Sequence, residues 1–209
     1  MEREIRSFGE IAAPHVVGDG RIIEGYAIVF NQESRVMYDK ERKKFFVEVI
    51  EPRAVTEEFL RGCDIKLLVN HNKERLLARS FRGVGSLEYE IDEYGVKYRT
   101  EAARDAEGDA VLEHIRRGDY FGSSFVFYDA RDGVSYSKLD DDTYKRTVSK
   151  FANITDFAIV SDPAYFGTTV SARNWEPVEP VRKSEAWNPE MQRLDTELKH
   201  DMINIYSNI

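Results

Sequence analysis

The sequence predicts a mixed α/β fold that is mainly β: a barrel or tightly curled sheet with helices packed outside. Two observations carry that expectation. Strand-like stretches dominate the chain as far as about Arg173, and two short segments carry helix punctuation at both ends. Separately, no glycine-rich loop matches a phosphate cradle or a dinucleotide fingerprint.

The elements follow in order. Ile22 to Phe30 is apolar and aromatic, and Lys44 to Ile50 is rich in Phe and Val, so both read as strands. Thr56-Glu57-Glu58 supplies a cap and an acidic first turn for a short helix, and Gly62 supplies its stop. An apolar strand from Ile65 then ends in the polar trio Asn70-His71-Asn72. Leu87, Tyr89 and Ile91 alternate with Glu88 and Glu90; Asp92 to Gly95 reads as a turn, and Val96, Tyr98 and Thr100 alternate again. That pattern is a half-buried hairpin. A second helix is expected over Asp109 to Arg117, with Val111, Leu112 and Ile115 as its apolar face and Gly118 as its C-terminal cap. Ser124 to Tyr128, Thr143 to Ser149 and Asn153 to Val160 complete the strands.

After Arg173 the character changes. Residues 1–173 read as one domain and 174–187 as a linker, extended at Trp175 to Pro180. Residues 188–209 read as an amphipathic tail with Met191, Leu194, Leu198, Met202 and Ile205 at helical spacing. That stripe suits either covering the domain or docking on another chain.

Composition narrows the function. The net charge of -8 argues against a general nucleic-acid binder held by counterion release. No apolar run approaches the roughly 20 residues that cross a bilayer, so no membrane partner is expected. Met1 to Ser7 is charged and lacks the apolar core of a signal peptide, and the single cysteine, Cys63, has no internal disulfide partner; a reducing cytosol is the expected home. The histidines His15, His71, His114 and His200 form no pair at ligand spacing, so neither a metal nor a cofactor is expected. Asp140-Asp141-Asp142 reads as a solvated loop.

Three places remain for chemistry. His71 stands at a strand end, where functional side chains are common, although a lone histidine also serves structure. Ser124 opens an apolar strand in Gly122-Ser123-Ser124-Phe125, and a serine nucleophile needs a base within hydrogen-bond reach. Asp156 is an acid within Asn153 to Val160; it either orients an imidazole or pairs with an arginine or lysine. Cys63 is a further nucleophile candidate or a packed thiol, and Glu48 with Asp156 is a possible carboxylate pair.

At these residues the chain resembles the prohead protease family of tailed bacteriophages. Glu24 to Asn31 looks like the family's opening strand, and Phe46 to Val55 like its next strand and helix entry. Leu67-Leu68-Val69-Asn70-His71-Asn72 matches the segment of the catalytic histidine, and Arg116-Arg117-Gly118 with Gly122 to Phe127 the segment of the nucleophilic serine. Ile154 to Val160, Pro163-Ala164-Tyr165 and Arg173 resemble the closing block. The family's serine stands immediately before a Phe-x-Phe step, which selects Ser124 over Ser123. The sequence departs from the pattern where Asp156-Phe157-Ala158 replaces the usual Glu-Val-Ser, and at Val126.

The resemblance implies a herpesvirus-protease-like β-barrel surrounded by helices and a serine endopeptidase. Ser124 would be the nucleophile, His71 the base and Asp156 the third member, with main-chain amides or Arg173 at the oxyanion. It implies the major capsid protein and a scaffold protein or scaffold segment as partners, within the immature procapsid in the host cytoplasm. Self-cleavage would remove the tail, and a homodimer or higher oligomer is compatible with the fold. The competing expectation is a non-catalytic assembly or scaffolding factor.

Overall fold

The computed structural model describes residues 3–8, 13–34, 36–39, 43–140 and 143–161. All belong to the first of two units into which the chain divides, Met1–Thr168. Arg173, the linker and the amphipathic tail lie outside the described residues.

Among the described residues the strands are β1 (Arg3–Phe8), β2 (His15–Val16), β3 (Ile22–Val29), β4 (Met37–Asp39), β5 (Lys44–Ile50), β6 (Asp64–Val69) and β7 (Asn72–Phe81), then β8 (Val84–Gly85), β9 (Glu88–Ile91), β10 (Gly95–Glu101), β11 (Gly122–Asp129), β12 (Val134–Lys138), β13 (Thr143–Val148) and β14 (Phe151–Val160). The helices are α1 (Glu57–Gly62) and α2 (Ala106–Arg117). The class is therefore mainly β within a mixed α/β fold.

Three sheets result. The largest has the order β1-β11-β14-β6-β7-β8; the others are β2-β3-β10-β9 and β12-β13-β5-β4. Most neighbours are antiparallel, but β14 pairs β6 and β13 pairs β5 in parallel. One core draws on all three sheets and both helices: Ile23 and Tyr98 from the second sheet, Ile50 and Val148 from the third, Leu67, Phe125 and Phe157 from the first, Leu60 from α1 and Leu112 from α2. Burying each such aliphatic side chain contributes about 1.5–3 kcal/mol. Sheets two and three meet where the Asn31 N–H donates to the Ile50 carbonyl at 2.9 Å.

The expected β9–β10 hairpin forms, with the Asp92 carboxylate accepting from the amides of Tyr94 (2.8 Å) and Gly95 (2.9 Å). One helix detail differs from expectation. α2 starts about a turn before Asp109, because the Asp105 side chain caps it by accepting from the Gly108 amide at 2.8 Å. α1 is capped by Thr56 and stops at Gly62, both as expected, and the chain leaves through extended Cys63.

Candidate active site

The site lies on the face of the first sheet turned away from the main core, and strand alternation decides which side chains reach it. On β11, Phe125 and Phe127 join the core, and Ser123 on the same face meets the Tyr98 hydroxyl at 3.0 Å. Ser124 is thereby turned to the opposite face.

On β14 a regular alternation would send Asp156 the same way as Ile154. It does not, because the β11–β14 register shifts: Phe127 pairs Ile154 while Val126 pairs Asp156, leaving Thr155 as an extra residue. This β-bulge flips the phase, so Ile154, Phe157 and Ile159 face the core while Asp156 and Ala158 face the site.

His71 comes from the β6–β7 connection. Val69 pairs Asn72, so Asn70 and His71 form a two-residue hairpin loop, with φ of 49° and 56°. Positive φ at both positions marks a type I′ turn, which suits Asn at the first position and is costly for most other side chains. Asn70 fastens that turn to β14: its amide donates to the Ile159 carbonyl at 2.9 Å, and its Oδ1 accepts from the Ser161 amide at 3.2 Å. Beyond the turn, β7 bulges outward, and Arg75 there donates to Glu107 of α2 at 2.9 Å.

These constraints bring Ser124, His71 and Asp156 together. His71 Nε2 lies 2.6 Å from Ser124 Oγ, and Nδ1 lies 2.6 Å from Asp156 Oδ1. With Nδ1 donating to the carboxylate, Nε2 is left as the acceptor that faces the hydroxyl. Asp156 is buried, and its second oxygen accepts from the Thr155 hydroxyl at 3.2 Å. Among the described residues its ion-pair partner is His71, not an arginine or lysine. The bulge makes the shorter acid long enough.

The other candidates stand elsewhere. Cys63 is buried, donates to the Phe59 carbonyl at 3.3 Å, and burial pushes its thiol up. Glu48 is fully buried and held by the guanidinium groups of Arg6 and Arg146, so it is committed to ion pairing rather than to proton transfer. His15 is exposed beside Glu24, and His114 pairs with Asp119. His200 and Arg173 lie outside the described residues. Asn70 and Thr155 support the site without having been singled out by sequence; Asn70 carried a signal, since asparagine favours such turns, whereas the bulge at Thr155 carried none.

A serine hydroxyl, an imidazole and a carboxylate in one hydrogen-bonded line is the arrangement that serine hydrolases use. The chain matches the Caudovirus prohead serine protease family over residues 10–181 and belongs to that family. It is thus a serine endopeptidase of procapsid maturation, and the non-catalytic alternative is not favoured. No curated protein matches the chain. Among solved structures it is similar to the bacteriophage T4 capsid assembly protease gp21, at 15% identity and a TM-score of 0.41, covering 78% of this chain and 98% of that one.

Proposed function

We propose that Ser124 is the nucleophile, His71 the general base and Asp156 the group that orients it, and that the substrates are capsid-protein and scaffold segments enclosed in the immature procapsid in the host cell. The observation that carries this reading is the unbroken line from Ser124 Oγ through the imidazole to the Asp156 carboxylate, with two links of 2.6 Å.

The hydroxyl proton passes to His71 Nε2 as Oγ attacks a peptide carbonyl carbon. The tetrahedral intermediate collapses when Nε2 returns the proton to the leaving amine, giving an acyl-serine. Water then attacks the ester, its proton goes to Nε2 and on to Oγ, and the acid product leaves. Asp156 fixes the Nδ1–H tautomer and stabilises the transient imidazolium, with Thr155 holding its free oxygen.

The finer reading includes a barrel closed around the shared core; the support is that all three sheets and both helices bury side chains in one cluster. It also includes a protease domain ending near Arg173, self-cleavage that removes the segment beyond it, and assembly into a dimer or larger oligomer.

The test is co-expression of wild type and Ser124→Ala with the cognate capsid and scaffold proteins, read by intact-mass spectrometry. Discrete fragments from the wild type and none from Ser124→Ala are expected. The same fragments from both would remove Ser124 from the chemistry. Intact partners in both, with shells formed, would favour an assembly factor.

A further inference from the structure

Ser124 has a neighbour on the side away from His71. β11 lies between β14 and β1, and β1 is the outermost strand of its sheet. Ser7 is the backbone partner of Ser124, and the Ser124 hydroxyl donates to the Arg6 carbonyl at 2.7 Å. Ser124 is 0% exposed.

Two consequences follow. A scissile carbonyl carbon has to come within about 3–3.5 Å of Oγ, and β1 already fills the position beside β11 that an extended polypeptide would take. The hydroxyl also has a single proton. Given to the Arg6 carbonyl, it is not given to His71 Nε2. The Arg6 carbonyl meets Oγ through its oxygen, so the contact is a hydrogen bond rather than an approach to attack.

β1 is fastened by charge. Arg6 donates to Glu48 through Nε (2.6 Å) and Nη2 (2.9 Å); Arg146 binds the same carboxylate and also reaches Asp129 and, at 2.6 Å, Glu4. Glu4 and Arg6 are on β1, Glu48 and Arg146 on the third sheet. Arg6, Glu48 and Arg146 are all buried. Buried ion pairs add little net stability over apolar packing, but losing one partner leaves an uncompensated charge. Such a fastening sets the register of β1 firmly and lets go when one member is lost.

We infer that the outer edge of β11 is the surface on which the substrate polypeptide lies as an added strand, and that β1 occupies that surface as the chain's own stand-in, so Ser124 becomes reactive when β1 leaves. This is strand addition to a sheet edge, in which main-chain hydrogen bonds give affinity without demanding one sequence. The inference rests on Ser124 being the nucleophile.

A fluorophosphonate probe tests it, with modification at Ser124 read by intact mass and peptide mapping. The forms compared are the full chain, a chain lacking residues 1–8, and full-length Arg6→Gln, which loosens the fastening should the deletion prevent folding. Labelling of Ser124 at least about tenfold faster in the truncated chain, slowed again by a synthetic peptide of residues 1–8, is expected, with Arg6→Gln in between. Equal labelling of Ser124 in all folded forms, or no effect of the peptide, overturns the inference and leaves the nucleophile assignment standing. Labelling absent from Ser124 in every form overturns both.

Discussion

Asp156 reaches His71 because Thr155 is one residue too many for a regular strand. Replacing the carboxylate by an amide keeps the size and removes the acceptor that selects the Nδ1–H tautomer. Asp156→Asn is therefore expected to lower the cleavage rate by roughly 10²–10⁴-fold, with a melting temperature near that of the wild type; scaffold cleavage timed by gel and a thermal melt check both parts. A rate within a few-fold of wild type would remove Asp156 from the proposed role. All three candidate residues were legible in the sequence as separate blocks, but their meeting was not. Ile154 to Val160 looks like an unbroken apolar strand with one misplaced acid, and an extra residue in a ladder leaves no mark until the partner strand is known. The same holds for His71: Asn70 hinted at a turn, but φ of 56° at the histidine follows only from the Val69–Asn72 pairing.

The strands that sequence exposed are those whose own side chains pay into the core, such as β3, β5, β10 and β11. Those it hid are held by something else. β1 is fixed by buried ion pairs, β7 opens with the charged bulge Lys73-Glu74-Arg75, and β12 is exposed along most of its length. One element contact ties the second sheet to β11 beside the nucleophile candidate. Tyr98 pairs Gly25 across the β3–β10 ladder, its ring is fully buried, and its hydroxyl meets Ser123. Burial pushes that phenol well above its ordinary range, so it stays a neutral partner. A Cβ on Gly25 would lie 2.6 Å from the Tyr98 hydroxyl oxygen and 2.8 Å from Cζ, which forces the ring to move. Gly25→Ala is expected to cost about 1–3 kcal/mol as overpacking and to slow cleavage by shifting β11. Tyr98→Phe, which keeps the ring and deletes the hydroxyl, is expected to lose about 1 kcal/mol and keep most activity. Urea titrations with parallel cleavage assays compare them; a Gly25→Ala chain as stable as wild type would contradict the packing argument.

Across the whole molecule, the pairings that the sequence withheld are the long-range ones. Thr143 to Ser149 and Asn153 to Val160 were legible as strands, but nothing in either says that β13 runs parallel to β5 and β14 parallel to β6, since a strand's own residues report that it is buried and not which strand it pairs with. Charge is distributed over other junctions, β6–β7, β3–β10 and β1 with β13, and it gives the fold a direction in pH. Asp64 on β6 is gripped by Arg79 of β7 through bonds of 2.7 and 2.8 Å and by Lys66 at 3.0 Å, and the Arg79 guanidinium, foremost, holds its carboxyl down to about 2 from 3.8. Glu24, bonded first by Lys97 and then by Arg99, is also held below the ordinary carboxylate range; Glu4 is too, where burial acts to raise it and its polar partners, Arg6 and Arg146 among them, outweigh burial. A carboxyl that is more acidic in the folded chain binds fewer protons there than in the unfolded chain, so stability rises with pH through that interval. The stabilisation is fully present above the unfolded values near 4 and drains away as pH falls toward 2. Because Asp64 is partly exposed, its own share is small and screened by salt. The expected result is a urea midpoint that is level from about pH 7 to 5 and drops steeply below about pH 4, with Asp64→Asn making the drop shallower between pH 4 and 2. A midpoint that holds level down to pH 2 would mean these carboxylates gain nothing from their partners in the folded chain.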